Sequence, residues 1–195
     1  MYYAFIINHN TPYTLSCPPG VTVYADSGAC NAIVNYNLAA SNACSQARLI
    51  QVDTTGKTSG DLFPLGTTLQ HYRIVSTFND RDTTCAFNVT VLDSVPPRIS
   101  CPSDTVLRSI NTGCGNYFSY QVQAFDACPL DTIQQIDTSG LGSGDFFPVG
   151  TTTQQWMASD SSGNTDSCSF TVTVEDRTRP VARCPRTIIR TLTDT

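Results

Sequence analysis

Apolar and polar residues alternate along several short stretches of this 195-residue chain. In CAFNVTVLD, which begins at Cys85, every second side chain is apolar, and CSFTVTVED, which begins at Cys168, repeats the pattern. Such alternation predicts β-strands with one buried face. GVTVYADSG and AIVNYN show the same kind of strand, with Asp-Ser-Gly as a turn between them. The predicted inward residues of the two clearest strands are Phe87, Val89, Val91, Phe170, Val172 and Val174.

No stretch of ten or more residues shows a helical period. Glycine, proline, asparagine and aspartate interrupt the alternation at intervals of roughly 8 to 12 residues, as in sandwich proteins. The sequence therefore predicts an all-β fold made of antiparallel sandwiches.

A ten-residue segment occurs twice, because SGDLFPLGTT begins at Ser59 and SGDFFPVGTT begins at Ser143, 84 positions later. Four cysteines recur at offsets of 84, 84, 84 and 83. The chain is therefore a tandem duplication, and a third Cys-Pro pair at Cys184 begins another copy. Within the segment we expect Phe63 to enter the core and Gly66 to free the backbone for the next strand. The first set of cysteines is Cys17, Cys30, Cys44 and Cys85, and the second is Cys101, Cys114, Cys128 and Cys168.

Nine cysteines with no CxxC pair and only two histidines indicate disulfides in an oxidising compartment rather than zinc sites. We expect an extracellular or cell-surface protein. The start MYYAFIINHN is not a secretory signal, so the sequence is expected to be a mature form or a segment of a longer chain. A net charge of -5 with a single lysine, Lys57, argues against nucleic acid as a partner. No apolar run approaches the roughly 20 residues that span a bilayer, so no membrane span is expected.

The sequence offers few candidates for catalysis or metal binding. His71 is expected to point to solvent, and no second histidine in its repeat could complete a catalytic dyad, so we predict no enzyme activity, no catalytic residues and no cofactor. Four aspartates precede the last strands and could offer oxygens to calcium, but their spacing matches no EF-hand loop. A structural turn is the preferred interpretation, and no metal site is predicted. These aspartates are Asp80, Asp82, Asp160 and Asp166.

Ten of fifteen aspartates are followed by serine or threonine. Five of these pairs continue with Thr, Val or Ile and resemble the O-glycosylation signal of one phylum of Gram-negative bacteria. The alternative is that aspartate suits turns and threonine suits strand faces, and both interpretations stay open. The candidate acceptors are Thr54, Thr83, Ser94, Thr105 and Thr132, and the sequon at Asn88 is a further one.

Four motifs in fixed order resemble the hyalin repeat (HYR) module: SCP, SGDxFPxGTT, ASDSSGN from Ala158 and CSFTVTVEDRTRP from Cys168. The resemblance covers nearly the whole chain and implies tandem immunoglobulin-like sandwiches of an extracellular protein, of the type common on bacterial surfaces. It supplies no catalytic residues. In an immunoglobulin-like sandwich the first and last strands can lie in parallel, which implies the disulfides Cys17-Cys85 and Cys101-Cys168. The remaining pairs would be Cys30-Cys44 and Cys114-Cys128, whereas a rival scheme joins Cys44-Cys85, Cys128-Cys168, Cys30-Cys101 and Cys114-Cys184.

The segment AFIINHNTPYTLSCP at 4–18 parallels AFNVTVLDSVPPRISCP at 86–102, so residues 3 to 9 resemble the last strand of a preceding repeat. Residues 183 to 195 resemble a first strand. Such orphan strands are expected of a segment cut from a long array, or of a subunit that gives strands to its neighbours. The expected division is an orphan strand at 1–10, repeats at 11–95 and 96–178, and a truncated third repeat or connector at 179–195.

The leading functional hypothesis is a structural subunit of an extracellular fibre or stalk, self-associated head to tail and glycosylated. The alternative is a cell-surface adhesin segment that binds glycan or protein through its loops. Residues 177–195 carry five arginines and one acid, leaving -9 for the rest of the chain. We expect the two ends to form the contact between subunits. The contact residues would be Tyr3, Phe5, Ile7, Arg183, Arg186 and Arg190.

Overall fold

The computed structural model describes residues 14–41, 47–76, 83–110 and 113–184. The regular secondary structure in these ranges consists of β-strands, as the alternation predicts. Within this part of the chain, no helix is long and apolar enough to cross a membrane. The strands are β1 (Thr14–Ser16), β2 (Val21–Tyr24), β3 (Asn31–Ile33), β4 (Ala39–Ser41), β5 (Ala47–Gln51), β6 (Leu62–Pro64), β7 (Gly66–Ser76), β8 (Thr83–Leu92), β9 (Arg98–Ser100), β10 (Thr105–Arg108), β11 (Gly115–Tyr117), β12 (Gln123–Phe125), β13 (Leu130–Gln135), β14 (Phe146–Pro148), β15 (Gly150–Asp160) and β16 (Thr165–Glu175).

The main sheet of each repeat has four strands, in the order β2-β8-β7-β5 in the first repeat and β10-β16-β15-β13 in the second. The long strands β7 and β8 pair antiparallel, with Gln70 opposite Phe87. In each four-stranded sheet the first strand in chain order, β2 or β10, pairs in parallel with the last, β8 or β16, so that Val21 lies opposite Val89 and Thr105 lies opposite Val172. Two-stranded sheets, β1-β4, β3-β6, β9-β12 and β11-β14, complete the two tandem β-sandwiches.

The chain divides into two compact units whose boundary differs from the boundary between repeats. The first unit runs to Ile99 and also includes Ala124–Ile133 and Ala158–Asp166. The second includes Ser100–Gln123, Gln134–Met157 and the residues from Ser167 onward. Two segments of the second repeat therefore belong to the first unit.

Each unit has its own hydrophobic core, and the predicted inward residues lie in it. Burying one such side chain contributes roughly 1.5 to 3 kcal/mol. Trp156 is half-buried against the second core. The buried residues of the first core are Ala32, Val34, Tyr36, Phe63, Tyr72, Phe87, Val89 and Val91, and those of the second are Phe147, Phe170, Val172 and Val174.

The duplicated segment forms the same turn in both repeats. Gly60 has φ 93° and Gly144 has φ 92°, a left-handed conformation that glycine adopts without steric cost. The N–H of Gly60 donates to the Val34 carbonyl at 2.8 Å, which holds the turn against the residue that directly follows β3. Phe63 and its counterpart Phe147 follow the turn and are fully buried. The repeated segment therefore builds a turn and anchors it in the core.

Candidate functional site

One disulfide closes each sandwich. Cys17 is bonded to Cys85, and Cys101 is bonded to Cys168, with a Cα–Cα distance of 5.8 Å in both pairs. The parallel pairing of the first and last strands brings these cysteines together. Both pairs are those that the sequence analysis expects from the family resemblance.

The third disulfide differs from every pair considered in the sequence analysis. Cys30 is bonded to Cys128, 98 positions away, and their Cα atoms lie 5.1 Å apart. The expected pairs Cys30-Cys44 and Cys114-Cys128 are therefore wrong, and so are the rival pairs Cys30-Cys101 and Cys128-Cys168. Cys128 follows β12 in a loop that packs with the first unit, which explains why its partner lies in the first repeat.

The geometry around this cystine is compact. Cys30 Sγ lies 2.8 Å from the carbonyl oxygen of Ala127, and Cys128 Sγ lies 3.7 Å from that of Ala29. The backbone N–H of Cys128 donates to Oδ1 of Asp126 at 2.9 Å, which forms an Asx turn. The turn fixes the direction in which Cys128 leaves the loop.

Two carboxylates lie next to the Cys30-Cys128 disulfide and line a cavity of about 180 Å³. Asp93, Asp126 and the Cys128 sulfur place ligand atoms within 4.8 Å of one another. Oδ2 of Asp93 and Oδ2 of Asp126 are buried, and neither has a hydrogen-bond partner among the described residues. The Cys128 sulfur is not a free thiolate, and calcium takes six to eight oxygen ligands. These three residues are therefore too few to form a calcium site by themselves.

A buried glutamine organises a polar network inside each sandwich. Gln70 is fully buried, and its Oε1 accepts hydrogen bonds from the Tyr36 hydroxyl at 2.9 Å and from Gln51 Nε2 at 3.3 Å. Burial raises the pKa of Tyr36, and its hydrogen bond with Tyr72 raises it further, so the hydroxyl stays protonated.

The second repeat builds the same network 84 positions later. Gln154 is fully buried and accepts from the Tyr120 hydroxyl and from Gln135 Nε2, both at 2.9 Å. Gln154 Nε2 donates to the Ser139 hydroxyl at 3.0 Å. Because the buried amides of Gln70 and Gln154 have hydrogen-bond partners, the network fixes the packing at the edge of the core.

An ionised aspartate terminates each network. Partial burial raises the pKa of Asp53, but hydrogen bonds to its carboxylate outweigh that effect and lower the pKa to about 2. Partial burial and hydrogen bonds act in the same opposing ways on Asp137, whose pKa is also lowered to about 2. The donors to Asp53 are the Thr55 hydroxyl and N–H, the His71 N–H and the Gln51 amide, and those to Asp137 are the Ser139 hydroxyl and N–H, the Gln155 N–H and the Gln135 amide.

The structure gives the turn aspartates Asp160 and Asp166 structural roles. Asp160 is buried and accepts from the N–H of Ser162 at 2.8 Å and from the N–H and side-chain amide of Asn164. Asp166 accepts from the Ile99 N–H at 3.3 Å. His71 is half-buried. Asp80 and Asp82 lie outside the described residues.

The candidate glycosylation sites are not brought together. Thr54 and Ser94 are exposed in loops, Thr132 is exposed on β13, and Thr83 and Thr105 are half-buried at the starts of β8 and β10. Of the proposed subunit contact residues, Arg183 is exposed. Tyr3, Phe5, Ile7, Arg186 and Arg190 lie outside the described residues, as does Cys44.

Neither the burial of the two glutamines nor the Cys30-Cys128 disulfide was predicted from the sequence. For the networks a signal was present, because four of their polar members recur unchanged at the same repeat positions. Surface polar residues do not need to match between repeats, whereas buried and hydrogen-bonded residues do. The recurring pairs are Tyr36 and Tyr120, Gln51 and Gln135, Asp53 and Asp137, and Gln70 and Gln154.

Two sandwiches in tandem, each with a parallel pair of first and last strands and one internal disulfide, define an array of immunoglobulin-like modules. The chain belongs to the HYR domain family, whose model matches residues 9–91 and 92–174.

Two relatives of this chain are both called Hyalin. The protein from Strongylocentrotus purpuratus is 30% identical over 93% of this chain and 15% of its own length. The protein from Lytechinus variegatus is 29% identical over 92% of this chain and 34% of its own length. Both are metazoan, so the expectation of a bacterial surface-protein type has no support. The chain spans about a third or less of these relatives.

Solved structures of tandem modules are also similar to this chain. The titin domains z1z2 in complex with telethonin match at a TM-score of 0.42 and 12% identity, over 86% of this chain and 98% of that one. The fibronectin(III)-like modules of CbhA from Clostridium thermocellum match at a TM-score of 0.36 and 15% identity, over 89% of this chain and all of that one.

Proposed function

We propose that this chain is a structural segment of an extracellular, adhesion-related fibre or stalk, in which HYR repeats are joined head to tail. The observation that carries the proposal is the Cys30-Cys128 disulfide, which links a residue of the first repeat to a residue of the second. A disulfide between two repeats is expected where repeats are joined in an array.

Location and chemistry are consistent with this role. Three disulfides persist only where the surroundings are oxidising, as outside the cell. The relatives named Hyalin support an adhesion-related protein rather than an enzyme. The polar networks around Gln70 and Gln154 are buried in the sandwiches and stabilise them, so we assign them no catalysis.

Strand exchange is the proposed contact between subunits. In both repeats the first and last strands pair in parallel. Residues 3–9 resemble a last strand and residues 183–195 resemble a first strand, so the two segments from different subunits could pair in the same way. Burial of Phe5 and Ile7 would supply roughly 1.5 to 3 kcal/mol each. The arginines at 183, 186 and 190 would mainly guide orientation and association rate.

Electron microscopy of the purified protein tests the fibre, because regular filaments are expected. Deletion of residues 1–10 should leave two folded and monomeric repeats. The matched variant R183E/R186E/R190E should assemble more slowly and with greater sensitivity to salt, while filament length and repeat stay normal. Normal filaments from the deletion variant would rule out strand exchange, and absence of filaments from the intact chain under all assembly conditions would contradict the fibre.

Glycosylation at Asp-Ser and Asp-Thr sites forms a further part of the proposal. Thr54, Ser94 and Thr132 are the exposed candidates, while Thr83 and Thr105 are half-buried. Native material should therefore be heavier than 21.1 kDa, with sugar on peptides that contain the exposed sites. A native mass equal to that of the bare sequence, corrected for disulfides, would remove this part.

One observation favours the alternative of an adhesin segment. Phe125 is 76% exposed beside the cavity of about 180 Å³, and its counterpart in the first repeat is Ser41. Aromatic side chains are enriched at protein interfaces, and this one is present in one repeat only. If the chain is an adhesin, F125S should abolish binding to glycan or cell-surface protein and leave assembly unchanged. The exposed Tyr24, tested as Y24S, is the control.

A further inference from the structure

We propose that Asn88 carries an N-linked glycan. Asn88, Val89 and Thr90 form the tripeptide Asn-x-Thr, the acceptor sequence for this modification in secreted proteins. The disulfides of the chain form in an oxidising compartment. In an animal cell, the kind of cell that makes both relatives named Hyalin, that compartment is also the one in which such glycans are attached.

The fold presents the Asn88 side chain to solvent. Asn88 lies in the middle of β8 between the buried Phe87 and Val89, and its own side chain is exposed on the opposite face of the strand. Asparagine is depleted in strands, because its short amide competes for backbone hydrogen bonds. The same position of the second repeat is Thr171, a residue type that suits strands. The strand itself gives no reason for asparagine here, whereas the acceptor of an N-linked glycan must be asparagine.

The threonine of the sequon lies on the same outer face. Its hydroxyl is 3.2 Å from the Thr67 hydroxyl of β7. The second repeat has the corresponding pair, Thr151 and Thr173, at 3.0 Å. The threonine at position 90 therefore has a structural partner in both repeats, and Asn88 is the residue that distinguishes the first repeat as an acceptor.

Exposed apolar side chains share this face with Asn88. Leu69 lies directly opposite Asn88 in the pairing of β7 with β8 and is 53% exposed. Tyr24 and Leu92 lie opposite each other on the same face and are also exposed. At the positions of Leu69, Tyr24 and Leu92 the second repeat has Thr153, Arg108 and Glu175. The repeat that has the sequon therefore also has the apolar surface that a bulky, solubilising glycan would cover.

The two sides of Asn88 give the first sugar a support and an open space. Opposite Cβ atoms of an antiparallel pair lie about 4.5 to 5.5 Å apart, so a sugar on Asn88 would lie against Leu69. On the other side Gly20 approaches the Asn88 backbone, and a Cβ added there would lie 3.5 Å from the Asn88 carbonyl oxygen. Gly20 has no side chain to occupy the space. Its counterpart in the second repeat is Asp104, which accepts from the Thr171 N–H at 2.7 Å.

The transfer requires a sugar donor, and we name an oligosaccharide joined to a lipid through a diphosphate. The amide nitrogen of Asn88 forms a bond to C1 of the first sugar, and the bond between C1 and the diphosphate oxygen breaks. The lipid diphosphate leaves with that electron pair, and the nitrogen releases one proton to solvent. No group is oxidised or reduced.

Secretion of the whole chain from cultured animal cells tests the assignment. The secreted protein should be heavier than 21.1 kDa, and treatment with peptide N-glycosidase should lower its mass. This enzyme converts a glycosylated asparagine to aspartate. Peptide mapping after treatment in water enriched in heavy oxygen should therefore show labelled aspartate at position 88 alone. Sugar on Asp-Ser or Asp-Thr sites is O-linked and would stay on the protein.

Variants of the sequon provide matched controls. N88Q and T90A should each lose the N-linked glycan, whereas T90S keeps the hydroxyl and should retain it. Thr171→Asn writes the same sequon at the counterpart position of the second repeat and should add a second glycan. The Cys17-Cys85 and Cys101-Cys168 disulfides, mapped in each variant, serve as the folding control.

A bare Asn88 in secreted chains with both sandwich disulfides formed would overturn the assignment. A glycan on the second repeat of Thr171→Asn beside a bare Asn88 would do so most directly, because the host would then have modified the same strand position elsewhere. The inference rests on the extracellular location that the proposed function also assumes, and the two can fail separately. Filaments of protein with a bare Asn88 would leave the fibre standing and reject the glycan. A glycan on Asn88 of protein that forms no filaments would do the reverse.

Discussion

The Tyr36 hydroxyl donates to Oε1 of Gln70 at 2.9 Å, inside a sandwich core where Gln70 has no contact with solvent. The same hydroxyl lies 2.7 Å from that of Tyr72. Burying an amide without partners would cost roughly 1 to 3 kcal/mol, so the hydroxyl is part of what makes a glutamine acceptable there.

Tyr36→Phe should destabilise the protein by about 1 kcal/mol or more, because the ring stays in place while Gln70 loses a donor. Urea unfolding, followed by far-UV circular dichroism, measures the change in the free energy of unfolding. The control is Tyr117→Phe, since the Tyr117 side chain is 65% exposed. A Y36F protein as stable as the Y117F protein would show that the network does not contribute.

Acid should weaken each repeat through its network aspartate. The folded pKa of Asp53 is about 2, below the unfolded value of about 3.9. Its contribution to stability is therefore complete above about pH 4 and is lost as the pH falls toward 2. The loss of stability should appear as a urea midpoint that falls as the pH is lowered from about 4 to 2. Asp137 should act in the same direction in the second repeat.

Thr55→Val tests that interpretation, because it removes the hydroxyl that donates to the Asp53 carboxylate. The pKa of Asp53 should rise in this variant, and the difference in stability from the parent should be largest near pH 7 and shrink toward pH 2. The matched control is Thr54→Val, whose hydroxyl is on an exposed neighbour. Carboxyl carbon NMR titration reads the pKa directly, and equal titration curves for T55V and the parent would contradict the assignment.

Gly115→Ala should destabilise the second repeat by about 1 to 3 kcal/mol through overpacking. An added Cβ would collide with the backbone carbonyl of Phe147 and would lie 2.6 Å from Cζ of Phe146. Asn31 occupies this position in the first repeat, where the counterpart of Phe146 is Leu62 rather than a phenylalanine, so Asn31→Ala is the control.

Phe146→Leu should partly rescue Gly115→Ala in thermal unfolding, since it removes the ring but not the carbonyl. If Phe146→Leu gave no rescue, the loss of stability in Gly115→Ala would come entirely from the collision with the backbone carbonyl of Phe147.

The sequence predicted the strands and the core well, because alternation reports directly which face is buried. It placed Phe63 in the core and Val89 and Val91 on the inward face of β8, as observed. It could not place Gln70, which sits two residues before the inward Tyr72 on the same face of β7. A period-two pattern treats a polar residue at such a position as an interruption, whereas hydrogen-bond partners from distant strands make it acceptable.

The disulfides show the same limit. Cys17 and Cys85 could be paired because both open strands that a sandwich places side by side. Cys30 and Cys128 could not, because their proximity depends on the loop after β12 packing with the first unit. No periodicity in a single repeat carries that information.

Removing a sandwich disulfide should cost about 4 kcal/mol in the chain-entropy model, since each closes a loop of almost 70 residues. C17A/C85A and C101A/C168A should each lower the melting temperature of one repeat, measured by calorimetry. The control is C184A, which removes a cysteine that is free in the structure. A loss in the double variants no larger than that in C184A would show that the closed loops do not determine stability.

The positions of the two sandwich disulfides also decide how the chain carries mechanical force. A force that stretches the chain is transmitted from Cys17 to Cys85 through the first disulfide. In the second repeat it is transmitted from Cys101 to Cys168 through the second disulfide. The residues between the bonded cysteines are bypassed, so on unfolding these residues would add no length to the molecule. Without its bridge, a separation of 68 residues would extend by about 230 Å at roughly 3.4 Å per residue. Most of the chain is thus spared from tension, and the load falls on the short connection from Ala86 to Ser100.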